Sequence, residues 1–211
     1  MEFKNRREAG VLLAHELDKF RGEDAVVYAL PRGGVPIGIE VAQHLELPLD
    51  LIIVRKIGHP WQPECAIGAV TEGGDVITDR EEYGSVDEIW LRHEADRQIQ
   101  EARRRRQVYL GGRAPTPVEG KTAIVVDDGI ATGFTLRAAI ASARALKPRK
   151  IVVAVPVAPA DTVRELTGLV DDVVVLHAPE HFRGAIGAYY EDFSQVSDEE
   201  VKERLEEVSS P

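Results

Sequence analysis

Two adjacent carboxylates, Asp127 and Asp128, stand at the end of an apolar run and just before a loop of small residues that leads into a helix. Residues 122–126, Thr-Ala-Ile-Val-Val, are rich in β-branched and apolar types, the pattern of a strand buried on both faces of a parallel sheet. The acids therefore fall at the carboxyl edge of that strand, where open α/β sheets bind ligands. Gly129 and Gly133 let the backbone turn and approach a ligand closely, and Thr132 and Thr135 add hydroxyls. The helix beginning near Phe134 presents N–H groups with no partner inside the helix, a ready anion site. Acids beside such donors suit a molecule that carries both sugar hydroxyls and a phosphate. The plainer alternative, an Asp-Asp-Gly turn and a capped helix without a ligand, seldom needs both acids and both threonines at this spacing. The nucleotide-triphosphate loop is excluded because Phe134, not lysine, follows the second glycine, and the dinucleotide pattern Gly-x-Gly-x-x-Gly is missing.

A second group with chemical potential is Pro31-Arg32-Gly33-Gly34, again a strand end, glycines and a helix start, now with a fixed positive charge. A guanidinium beside exposed amides suits a pyrophosphate. Alone, the four residues are equally an ordinary turn.

Residues 124–135, Ile-Val-Val-Asp-Asp-Gly-Ile-Ala-Thr-Gly-Phe-Thr, resemble the phosphoribosyl-pyrophosphate motif of the type I phosphoribosyltransferases: hydrophobics, two acids, then a loop ending Thr-Gly-x-Thr. The resemblance implies that Asp127 and Asp128 hold the ribose hydroxyls. It implies that Ile130, Ala131, Thr132, Gly133, Phe134 and Thr135 cradle the 5′-phosphate, and that Arg32, Gly33 and Gly34 form a pyrophosphate loop with a cis bond between Pro31 and Arg32. It also implies Mg2+ held mainly through the ligand, and Asp127, Asp128 and Arg32 as the residues that carry the reaction. That reaction moves the phosphoribosyl group to a nitrogenous base, with pyrophosphate leaving. A non-catalytic sensor of phosphoribosyl pyrophosphate or a nucleotide is the alternative reading, since a shared fold does not prove turnover.

In the same family a flexible loop follows the second strand. Here Arg55 and Lys56 are expected to end that strand at the ligand edge, with residues 58–85, including His59, Trp61, Glu64 and Cys65, as a lid that excludes water. The stretch 181–193 occupies the place of a hood over the base, with Phe182 and Tyr189 as stacking candidates. One departure concerns the acceptor: where hypoxanthine-guanine enzymes carry an acid and a lysine, this chain has Ala131 and Phe134. The motif is closer to the adenine and uracil enzymes, and the acceptor stays open.

The elements that must position these residues alternate along the chain. An amphipathic helix is expected over residues 3–20, with Val11, Leu12, Leu17 and Phe20 as its buried stripe. A strand at 24–30, a helix at 35–45 and a strand at 49–55 make a βαβ unit. Two short strands at 66–71 and 75–78 lie in a Gly- and Pro-containing segment, followed by a long charged helix at 86–110 and a linker at 111–120. Beyond the motif strand and its helix come strands at 150–155 and 173–177, a helix at 160–167 between them, and a closing acidic helix at 198–208. The expected fold is an open, mainly parallel twisted α/β sheet flanked by helices, a Rossmann-like phosphoribosyltransferase core over about 22–177. A small hood over about 178–196 completes one domain across 1–211.

Composition bounds the partners. The 211 residues are 44% hydrophobic, enough for a substantial core, and the net charge of −10 argues against a broad nucleic-acid surface. The lone Cys65 excludes an intramolecular disulfide and has no evident nucleophile's partner. No stretch is apolar enough to span a bilayer and the charged start is unlike a signal peptide, so a cytoplasmic protein is expected, with a homodimer as the candidate assembly and the oligomeric state open. His93-Glu94 lacks the second histidine of a zinc-protease helix, and Pro179 separates His177 from His181. The run Arg103 to Arg106 shares its helix with Glu94, Asp96 and Glu101, which reads as a solvated face or a subunit contact.

Overall fold

A computed structural model describes residues 2–78, 86–131 and 133–209. Five parallel strands form the central sheet: β1 (Ala25–Ala29), β2 (Leu49–Leu51), β6 (Thr122–Val126), β7 (Lys150–Val157) and β8 (Asp172–His177), in the order β2-β1-β6-β7-β8. β1 and β6 are buried at every position, as their unbroken apolar sequence requires of strands covered on both faces. The helices are α1 (Arg6–Glu16), α2 (Gly34–Leu45), α3 (Glu88–Leu110), α4 (Phe134–Ala145), α5 (Ala160–Thr167) and α6 (Asp198–Ser209). One core joins α1, α2 and α6 to the sheet through Leu13, Leu17, Ile37, Val41, Val27, Ile124 and Leu205. The other joins α4 to the opposite face through Leu136, Ile140, Val26, Val125 and Val153. Strand order reverses between β1 and β6, so their carboxyl ends flank the crevice where doubly wound sheets place ligands.

The βαβ expectation holds, but the strand expected at 49–55 is two strands in different sheets. β2 ends at Leu51, the chain crosses at Ile52 and Ile53, and β3 (Val54–His59) pairs antiparallel with β4 (Gln62–Thr71), which in turn pairs with β5 (Val76–Thr78). The segment expected to be largely loop therefore carries a three-stranded sheet through residue 78, and its remainder to residue 85 lies outside the described residues. The register slips between Ile57 and His59, at Gly58, so glycine and prolines here mark an irregular hairpin.

The buried stripe of α1 also differs. Val11 and Leu12 are exposed, whereas Ala9, Gly10, Leu13 and Ala14 are buried. A Cβ added to Gly10 would lie 3.0 Å from Glu40 Cβ and 3.1 Å from the Ile37 Cα, so the close approach of α2 selects the small-residue face. The arginine run is likewise more than a solvated face. Arg106 is held between Asp50 (Nη2 to Oδ1, 3.0 Å) and Glu72 (Nη1 to Oε1, 2.7 Å), and it donates to the Leu51 carbonyl, pinning α3 to β2 and to the base of the hairpin. No helix among the described residues is long and apolar enough to cross a membrane.

Candidate active site

The two acids emerge where β6 stops. Asp128 is buried and Asp127 partly exposed, and the Asp128 N–H donates to Asp127 Oδ1 at 2.8 Å. Asp128 Oδ2 accepts from Arg6 Nε at 2.8 Å, and the Tyr190 hydroxyl donates to the Asp128 carbonyl at 2.7 Å. Burial pushes the Asp127 carboxyl well above the usual carboxylate range, and the charge of Asp128 adds to the rise. Burial raises Asp128 as well, against the opposing charge and hydrogen bond of Arg6. Burial and the Asp128 charge likewise hold the Tyr190 hydroxyl protonated far above its ordinary value.

The loop after β1 packs directly on these acids. A Cβ at Gly33 would fall 1.9 Å from Asp128 Oδ2, so only glycine permits this approach. The Pro31–Arg32 peptide is cis, at the expected bond. Arg32 Nη1 lies 3.7 Å from Asp198 Oδ1 at the start of α6, and Asp198 also accepts from the Tyr109 hydroxyl at 2.6 Å. The guanidinium thus sits at the rim of the β1–β6 edge with an acidic neighbour that the sequence did not single out.

Beyond Asp128, Ile130 is buried and its N–H donates to the Val157 carbonyl at 2.9 Å, which anchors the loop to β7 and removes that amide from the donors available to a phosphate. Gly133 is left-handed (φ 78°) and caps α4 without a side-chain bond. The first bond along the helix is Arg137 N–H to the Gly133 carbonyl, so the amides of Phe134, Thr135 and Leu136 have no intrahelical acceptor. Ala131 and Thr135 are exposed beside them, and Thr132 lies outside the described residues.

Carboxylates and a helix start with open amides thus meet at one sheet crevice, and a profile for the phosphoribosyl transferase domain matches residues 4–191. The chain belongs to the phosphoribosyl transferase family. It is 44% identical over 201 residues to the Mycobacterium tuberculosis protein named "Putative phosphoribosyl transferase Rv0571c", an alignment covering 94% of this chain and 45% of that protein. The chain thus spans about half the length of the curated relatives it matches. The crystal structure of TT1426 from Thermus thermophilus is similar over the full length of both chains, with 42% identity and a TM-score of 0.83. The AQ2163 protein from Aquifex aeolicus shares the fold, with 13% identity, a TM-score of 0.53 and coverage of 84% of this chain and 76% of that one.

In this phosphoribosyl transferase domain, two further expectations are corrected. Arg55 and Lys56 do not end a strand of the main sheet; they lie within β3 and face a cavity of about 310 Å³ together with His59, Trp90, Glu94 and Arg97. Arg55 Nε donates to Gln98 Oε1 on α3 at 3.0 Å. Tyr189 is 1% exposed, and its ring packs on Phe182 (centroids 5.3 Å apart) and against His177. Its hydroxyl accepts from the Arg183 N–H, so Tyr189 belongs to the core of the hood and has no face for a base. Phe182 remains partly exposed. At the hairpin turn Trp61 is 85% exposed, Cys65 lies within β4, and the side chain of Glu64 is outside the described residues.

His15, Asp18 and His44 place three potential ligand atoms within 4.8 Å of one another and could hold a metal ion. The nitrogen-rich set suits a transition metal better than Mg2+, which prefers oxygen. His15 and His44 lie in the last turns of α1 and α2, whereas Arg6 begins α1 and Gly34 begins α2 beside the acids. The cluster is thus at the far end of both helices. His44 Nε2 already meets Asp18 Oδ1 at 2.8 Å, and Arg21 stands 3.7 Å from the same oxygen.

Sequence reasoning missed Arg6, Tyr190 and Asp198. Arg6 and Tyr190 lie 122 and 62 residues from the acid they engage. A local signal for Arg6 did exist: a cation in the first turn of a helix opposes the macrodipole.

Proposed function

We propose that the protein transfers the 5-phosphoribosyl group from phosphoribosyl pyrophosphate to a nitrogenous base. A bond forms between the base nitrogen and the anomeric carbon, the bond from that carbon to the pyrophosphate oxygen breaks, and its electron pair leaves with pyrophosphate. The observation that supports this reading best is the junction of β1 and β6, where Gly33 touches the Asp128 carboxylate and the open amides of α4 begin six residues further on.

On this reading Asp127 and Asp128 accept from the ribose hydroxyls and fix the ring. The amides of residues 134–136 and the hydroxyl of Thr135 bind the 5′-phosphate, with Ala131, Thr132 and Gly133 shaping the loop. Gly33, Gly34 and Arg32 receive the pyrophosphate, and Arg32 exchanges Asp198 for the leaving group, where its charge is most useful as negative charge develops. Mg2+, held mainly by pyrophosphate and ribose oxygens, supplies further neutralisation when bound. The acids fit this indirect arrangement, since Arg6 already fills Asp128 Oδ2 and its charge opposes direct seating of a cation there. The hairpin carrying Arg55 and Lys56 covers the reaction, and Phe182 is the ring left to meet the base. The acceptor class is a purine or pyrimidine, with Ala131 and Phe134 disfavouring the hypoxanthine-guanine pattern. The protein works in the cytoplasm.

Calorimetry with phosphoribosyl pyrophosphate and Mg2+ tests the site. The wild type binds, and Asp127→Asn/Asp128→Asn loses at least roughly a hundredfold in affinity, as expected when two hydrogen-bonding carboxylates are removed. Undiminished binding in the double variant removes the assignment. Pyrophosphate release with a panel of bases then names the acceptor; donor binding without release under any base would identify a sensor instead.

A further inference from the structure

The N-terminal segment is part of the site and not merely beside it. The Phe3 N–H donates to the Tyr189 carbonyl, and the N–H groups of Glu191 and Asp192 donate to the carbonyls of Phe3 and Lys4, so the segment and the hood form one bonded unit. From this unit Arg6 reaches across to the acid pair. Its Nε donates to Asp128 Oδ2 at 2.8 Å, its Nη1 donates to the Ser194 carbonyl at 2.7 Å, and its guanidinium lies 3.8 Å from the centre of the Phe193 ring. The side chain is 11% exposed and that of Asp128 12%. A planar fork held on three sides is a fixed group, unlike a surface cation that samples many partners. Among the described residues no other side-chain donor to the Asp128 carboxylate is seen, and Arg6 takes Oδ2.

We propose that Arg6 is the positioning residue of the donor site: its bond to Oδ2 holds the Asp128 carboxylate in one orientation toward the ribose hydroxyls. Donor binding is thereby tied to docking of the N-terminal segment against the hood. This rests on the transferase reading above. The physical need is clear from the neighbourhood. Among the described residues the ionisable groups facing Asp128 are Asp127 beside it at the end of β6, Tyr190 from the hood and Arg6 from α1, and of these Arg6 alone brings positive charge. Without Arg6 the Asp128 carboxylate loses its side-chain donor and the charge that opposes the rise caused by burial.

Arg6→Gln and Arg6→Lys separate this role from simple packing. In the pyrophosphate-release assay Arg6→Gln raises KM for phosphoribosyl pyrophosphate about tenfold or more while kcat changes less than about threefold, the pattern of lost binding before the chemical step. Arg6→Lys, which keeps the charge but not the fork, recovers at least about a third of the lost affinity. By calorimetry, adding Arg6→Gln to Asp128→Asn weakens donor binding by less than about twofold, because the effect runs through that carboxylate. A wild-type KM in Arg6→Gln overturns the proposal, as does an equal loss in the wild-type and Asp128→Asn backgrounds. If Arg6→Gln fails to fold, Arg6→Lys decides in a folded protein: a KM above the wild-type value with donor affinity better than that of Asp128→Asn supports the proposal, and a wild-type KM, or an affinity no better than that of Asp128→Asn, overturns it. Absence of donor binding and turnover in the wild type removes the transferase reading itself, a result distinct from any of these.

Discussion

Glu72 makes stability depend on pH in a way that one substitution isolates. It follows β4, its N–H donates to the Ile53 carbonyl, and its Oε1 accepts from Arg106 at 2.7 Å, while Oε2 is buried with no hydrogen-bond partner. Burial pushes its carboxyl up to about 7; the Arg106 charge opposes the rise and the neighbouring Asp50 adds to it. One cation is shared between two carboxylates, and Asp50, with its side chain fully buried, also accepts from the N–H groups of Leu51 and Thr116. An acid raised on folding binds its proton more tightly in the native state, so its contribution is complete below the unfolded value near 4.5 and is lost as pH climbs through 7. Between pH 5 and pH 8 the loss amounts to roughly 2.5 kcal/mol, from 1.36 kcal/mol per pKa unit. Glu72→Gln removes the titration and leaves a pH-independent offset from the orphaned amide. Urea unfolding of both proteins across this range gives the difference directly: the variant gains on the wild type by about 2.5 kcal/mol as pH rises. A difference that stays flat from pH 5 to pH 8, or that moves the other way, refutes the reasoning. The absolute curve of either protein is less informative, because Glu101 and Asp172, held low by Arg104 and Lys19, shift stability in the opposite sense at acid pH.

Two further substitutions test the packing that positions the site. Leu13→Ala, at a fully buried position of α1, costs about 2 to 5 kcal/mol in urea unfolding, whereas Val11→Ala on the exposed face stays within about 0.5 kcal/mol. Gly33→Ala drives a methyl group into the Asp128 carboxylate that Arg6 holds; the backbone there (φ −64°, ψ −31°) accepts alanine, so the cost of about 1 to 3 kcal/mol is steric. Calorimetry should show donor affinity falling at least about tenfold in Gly33→Ala, as misplacement of a reacting group predicts.

The sequence made the sheet legible wherever strands are buried on both faces. Residues 122–126 and 151–155 are unbroken runs of apolar and β-branched residues, and the structure carries the second strand from Lys150 to Val157. The boundary between β2 and β3 was hidden for the same reason. Leu51, Ile52 and Ile53 continue one apolar run with no glycine or proline to mark the crossing. Pairing of Leu51 with Ala29 and of Val54 with Thr71 decides it, and neither partner is local. The hood aromatics divide differently. Phe182 and Tyr189 were both stacking candidates for a base; the structure packs the two rings on each other and buries Tyr189, leaving Phe182 partly exposed.

The candidate site followed the same division. Both glycine-containing loops and the acids are local in the sequence, and the cis bond, which the family resemblance implied, is present at Pro31–Arg32. Arg6 was not readable, since its partners come from the far end of the chain, yet its placement carried a warning. As the first residue of α1, with Asn5 as the cap and Glu8 bonded back to it, Arg6 puts positive charge at the positive end of the helix dipole. That conflict costs about 0.3 to 1 kcal/mol at an exposed site, and at Arg6 the bond to the buried Asp128 carboxylate outweighs it. Arg7 breaks the same rule in the same turn and lies 77% exposed beside Glu40, so the local pattern marks the turn and only the fold picks out which arginine reaches the end of β6.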